Sequence, residues 1–164
     1  MVALAGFSVG AFAVEGNAQD WRAEKIQALA YYDAYAKYFT NEPEAQTKIA
    51  EVREIAKNIE RREASRNSRT KALLVLREAD SQKRSEGIAA SNDLADLRLS
   101  YLYGNLLPRI LNECDDSLVQ QGVSPRPFPV RPLAMTEAQF KAKQASLIAQ
   151  VGLTPNEIDP KPEQ

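Results

Sequence analysis

Apolar residues in this chain recur at spacings of three and four, and strand-like alternation appears nowhere. That period marks helices that bury one face. From about Asn17 to Thr40, the residues Trp21, Ile26, Leu29, Tyr32, Tyr35 or Ala36, and Phe39 trace a first helix. Asn17 or Asp20 can cap it by accepting a backbone N–H of the first turn. Asn41-Glu42-Pro43-Glu44 stops that helix and starts a second. Asn41 is the expected cap, with Glu44 near the positive end of the dipole. The second helix carries a narrow stripe of Ile49, Val52, Ile55/Ala56 and Ile59, nearer a two-helix seam than a broad core face.

The stripe fades through ERREASRNSRTK and resumes at Ala72-Leu73-Leu74-Val75-Leu76. Two readings stand: one long helix to about Ser85, or two helices broken near Arg66–Ser68. Gly87 reads as a C-terminal stop or a loosened turn, and Ser91-Asn92-Asp93 as a restart. The helix that follows is the most apolar, with Leu94, Leu97, Leu99, Tyr101, Leu102, Leu106, Leu107, Ile110, Leu111 and Leu118. Pro108 lies inside it, and its ring opposes the carbonyl of Gly104, so a kink or break is expected at 104–108. Gly122 ends the element.

Residues 124–132 (SPRPFPVRP) hold four of the nine prolines and read as an extended strap. Thr136-Glu137-Ala138-Gln139 is a capping box for a short helix ending at Gly152, and Thr154-Pro155-Asn156-Glu157 starts one more turn. The expected fold is all-α: an elongated helical hairpin or bundle with an apolar N-terminal arm and a proline-rich C-terminal strap. The expected division is 1–16 arm, 17–122 helical domain, 123–135 strap, and 136–164 short helix and tail.

Composition narrows the chemistry. The 164 residues include no histidine and one cysteine, which removes Ser-His-Asp and Cys-His catalysis and all histidine-bearing metal sites. Cys114 lies in Asn112-Glu113-Cys114-Asp115-Asp116, where neighbouring carboxylates should raise the thiol pKa. Those acids lack the spacing and glycine turn of a calcium loop. No dinucleotide, P-loop or GxSxG motif is present. The expectation is a protein without catalytic residues, metal or cofactor.

Residues 1–14 (MVALAGFSVGAFAV) carry no charge and are too short to span a bilayer as a helix. They read as a retained arm that docks on a partner or membrane through Phe7 and Phe12, as a signal peptide with an Ala11-Phe12-Ala13 cleavage site, or as a buried helix. The compartment expected is a virion or cell envelope, with a periplasmic or secreted protein as the alternative.

Net charge is only -1, but it is segregated. Residues 53–84 hold 10 basic and 5 acidic groups, whereas 1–52 hold 4 and 7, and 85–121 hold 2 and 6. Arg62, Arg66 and Arg69 include steps of three and four. They could contact nucleic-acid phosphates or pair with acidic helices, within the chain or between copies. No aromatics interleave the basic run, which favours protein pairing. Tyr31, Tyr35 and Tyr38 form either an aromatic platform for a partner or a core seam, with the seam favoured. Arg126, Pro129 and Pro132 fit R-x-x-P-x-x-P, with Phe128 as the anchor of a strap laid on a neighbour.

A small-residue apolar N-terminus followed by long Ala/Gln/Arg/Glu-rich helices resembles the internal or ejection proteins of tailed bacteriophages in layout. No functional residue carries over from that resemblance. The function expected is a non-enzymatic helical assembly protein working in many copies, with an exported helical protein as the alternative.

Overall fold

The computed structural model describes residues 21–77, 81–120, 122 and 135–161. Among them the fold is all-α, with α1 (Trp21–Tyr38), α2 (Pro43–Leu76), α3 (Ser81–Tyr101), a π-helical turn at Leu102–Leu106, α4 (Leu107–Gln120), α5 (Glu137–Val151) and the single turn α6 (Pro155–Ile158). The arm with Phe7 and Phe12 lies outside the described residues, as do the caps Asn17 and Asp20. So do the strap positions Arg126, Phe128, Pro129 and Pro132.

The long helix α2, about 50 Å from end to end, is the spine. Helix α3 and the π turn run back along it: Gly87 meets Leu74, Ser91 Oγ donates to Asn67, Arg98 donates to Glu63, and Tyr103 of the π turn donates to Glu60. The third position in the bundle is shared. Around the π turn and α4 it is taken by α1, whose Ala28 and Tyr32 join Val52, Ala56, Leu99, Leu102, Leu107 and Leu111 in one core. Along α3 it is taken by α5 and α6, whose Val151 and Ile158 join Leu74, Ala90 and Leu94 in another. Tyr35, Phe39, Ala45 and Ile49 close the α1–α2 turn.

Several expectations change. No break occurs at Arg66–Ser68; α2 is continuous and stops at Leu76, short of Ser85. Its buried stripe persists through the polar stretch by way of Glu63 and Thr70. Buried Thr70 directs its hydroxyl to the carbonyl four residues back at 3.0 Å, which satisfies it without leaving the helix, and exposed Ser68 does the same at 3.0 Å. Gly87 is neither a stop nor a loosened turn. It is buried inside α3, where a Cβ would sit 3.0 Å from Leu74 Cδ2, so glycine lets two helices approach. Ser91 is likewise interior to α3 rather than a restart.

Glu42, not Asn41, is the N-cap of α2, and it makes no side-chain capping bond. Pro43 stands in the first turn, where its missing N–H costs nothing. The end of α1 is satisfied instead by Gln46, whose Nε2 donates to the carbonyls of Ala36 (2.7 Å) and Phe39 (2.9 Å). In α1, Ile26 (70% exposed) and Leu29 (41%) face solvent, while Glu24 and Ala28 turn inward with Tyr32 and Tyr35.

At 104–108, where a kink or break is expected, the helix is interrupted by the π turn at Leu102–Leu106 and continues beyond it. The Leu107 N–H bonds to Leu102 O, five residues back, which shifts the ladder just before Pro108. At the C-terminal end the sequence signals hold. Thr136 and Gln139 form a reciprocal box, Gly152 ends α5 with φ at 69°, and Thr154 and Glu157 repeat the box on α6.

Candidate partner-binding surface

Two polar seams run through the bundle. At its centre, Glu63 of α2 is 3% exposed and accepts from Arg98 of α3 at 3.2 Å and from Arg66 one turn on. Arg66 also grips Asp159, just past α6, at 2.9 and 3.0 Å. Gln144 of α5, with its amide oxygen toward the guanidinium, accepts from Arg98 Nη2 and Nε, both at 3.1 Å. Four helices thus meet on one charge cluster. Burial opposes the Arg66 charge, but Glu63 and Asp159 outweigh it and raise its pKa.

The second seam lies beside the start of α1. Trp21 Nε1 donates to Asp96 at 2.8 Å, and the ring stacks on Tyr103 at 6.3 Å. Lys25 donates to Glu60 at 2.6 Å, and Tyr103 donates to the same carboxylate at 2.9 Å. Burial pushes the Glu60 pKa up, but the Lys25 and Tyr103 hydrogen bonds and the Lys25 charge outweigh it and leave the pKa lowered. A cleft of about 460 Å³ opens here, lined among others by Trp21, Arg22, Glu60, Glu63 and Asp96. Glu60, Glu63 and Asp96 are engaged by neighbouring side chains, so the chemistry on show is cohesion between helices.

Two buried tyrosines differ in a way that can be measured. The Tyr103 hydroxyl bonds to Glu60, whereas the Tyr32 hydroxyl meets no hydrogen-bond partner among the described residues. Both pKa values are raised, Tyr32 by burial above all, and Tyr103 by burial and then by its bond to Glu60. Tyr103→Phe should therefore cost about 1–2 kcal/mol, and Tyr32→Phe should be neutral or stabilising. Urea unfolding of both variants checks this; equal losses would show that Tyr32 has a partner.

The tyrosine candidates separate. Tyr35 is wholly buried, with its ring 4.8 Å from that of Phe39, so it cannot present a face to a partner here; it belongs to the seam. Tyr31 is half-buried against the α1–α2–α4 core. Tyr38 closes α1, and its side chain lies outside the described set.

The arginines separate too. Arg66 is committed to Glu63 and Asp159 within the bundle, while Arg53 with Asp33 and Arg77 with Glu157 pair at its surface. Arg62 and Arg69 stand exposed on α2 and make no ion pair among the described residues. Cys114 is half-buried, and its pKa is raised chiefly by burial, then by Asp115, Glu113 and Glu51, against a lowering by Lys48.

Sequence reasoning missed the Glu63–Arg98 pairing, because its members are 35 residues apart. The available signal was the continuation of the α2 stripe through Ile59, Glu63, Asn67, Thr70 and Leu74 at steps of three and four.

Among the described residues, no group of three or more acidic or cysteine side chains could hold a metal ion. No described helix is long and apolar enough to cross a membrane. No family model, curated protein or solved structure matches this chain.

Proposed function

We propose that this chain is a non-enzymatic helical structural protein that works as one of several copies in a larger assembly, in the style of a tailed-bacteriophage virion component. The observation that carries this reading is the outer side of α2. From Glu44 to Leu76 the positions Glu51, Ile55, Asn58, Arg62, Ser65, Arg69 and Ala72 are all exposed. Apolar side chains lie out in water at that helix's end, with Val75 at 64% and Leu76 at 79% exposed. A long, continuous, exposed flank with apolar points is the kind of surface that further copies or partners cover.

Light scattering on the full chain at low ionic strength tests the reading. The weight-average mass should rise above the monomer between low and high micromolar concentration. A monomer at every concentration would overturn it.

A further inference from the structure

Within that outer side of α2 one narrow face carries an ordered run of charge. Glu44 and Glu51 are seven residues apart, and so are Arg62 and Arg69. Seven residues are two helical turns, so all four project from nearly the same line on the helix. Ile55 lies on that line between the two pairs. All five are exposed, Ile55 at 42%, and none of the four charged members forms an ion pair among the described residues. Lys48 is half-buried at the edge of the face, Lys57 pairs with Glu54, and Arg61 donates to Asn58.

The surroundings keep the two halves distinct. The acidic half is flanked by α4, where Glu113 and Glu51 both act on the Cys114 thiol and Asp116 is exposed. Beside the basic half, Asp159 is already neutralised by Arg66.

We infer that a second copy of this chain docks antiparallel on the Glu44–Glu51–Ile55–Arg62–Arg69 face of α2, forming a two-fold dimer. This rests on the assembly reading and names the partner and the register. Because the acidic and basic pairs share one spacing, a single axis satisfies both. It passes between Ala56 and Lys57. Glu51 then faces the second copy's Arg62, Glu44 faces its Arg69, and the reverse pairs form by symmetry.

Four cross-pairs result over about 38 Å of helix. At the axis the two Ile55 side chains come within about 4.5 Å of each other along the helix direction. That gives an exposed isoleucine an apolar partner. A parallel arrangement would set acid against acid and base against base. Antiparallel docking is isologous: each copy uses the same patch, and the contact closes at two.

Charge reversal tests the register. Arg62→Glu/Arg69→Glu makes the face wholly acidic, and Glu44→Lys/Glu51→Lys makes it wholly basic. Each variant alone should dimerise at least about tenfold more weakly than the parent, by sedimentation at low salt. Mixed in equal amounts, the two should form a heterodimer. A chain with all four substitutions should dimerise with itself like the parent. Added salt should weaken the parent dimer, because exposed charges are screened. Circular dichroism and thermal midpoints should stay close to the parent, since every altered side chain is exposed.

Parent association that survives both reversals unchanged would overturn the α2 pairing while leaving the assembly reading in place. So would reversed chains that do not associate on mixing. A parent chain that never associates would overturn both.

Discussion

Replacing Glu63 with alanine should lower the free energy of unfolding by about 3–5 kcal/mol, the range for breaking a buried ion pair. Glu63 is 3% exposed and Arg98 8%, so the variant leaves a guanidinium inside the bundle with its carboxylate gone. Gln144 still accepts from it, but an amide carries no balancing charge. Arg66 would keep Asp159. The cost comes mainly from the stranded charge rather than from the lost attraction. Consequently Glu63→Leu combined with Arg98→Met should recover most of the loss. Denaturant unfolding of the single and double variants measures both effects. A single-variant loss below about 1 kcal/mol would show that Arg98 reaches water.

Tyr35→Ala should cost about 2–4 kcal/mol, as expected for a large-to-small change in a core. The ring is fully buried and packs on Phe39, with Ala45 and Ile49 across the α1–α2 turn. A variant of unchanged stability that lost self-association would instead place Tyr35 at a contact between copies. Thermal unfolding and light scattering on the same sample separate these outcomes.

How legible the molecule was depended on whether a signal was local. Thr136 with Gln139, Thr154 with Glu157, and Gly152 in the left-handed region are complete within four residues, and the structure reproduces each one. The α2 positions Ile49, Val52 and Ala56 also read correctly, because one face there is plainly apolar. In α1, apolar residues lie all round the helix. Spacing placed Ile26 and Leu29 on one stripe with Tyr32, Tyr35 and Phe39; the last three are buried as expected, but Ala28 takes the inward place of Ile26 and Leu29. Gly87 misled because a helix-ending glycine and a close-packing glycine look alike in sequence; only Leu74 across the interface tells them apart.

The exposed face of α2 was half legible. The segregation of charge along the chain was plain, and so was the choice between internal and external pairing. Which arginines were spent internally was not. Arg66 and Arg69 are one turn apart, yet Arg66 turns toward Asp159 and Arg69 toward solvent. That division follows from where α6 lies, and α6 is fixed by a capping box nearly 90 residues further on.

The π turn settles a mismatch of phase. Leu102 and Leu107 are five residues apart, yet both are buried in the same core. In an unbroken α-helix five steps of about 100° would leave them about 140° apart. The wider turn absorbs one surplus residue, so that Leu99, Leu102, Leu107 and Leu111 look the same way. It therefore acts as a differential between two rotating shafts. The stretch that meets α5 and the stretch that meets α1 can each keep its own angular setting, and neither has to be compromised for the other.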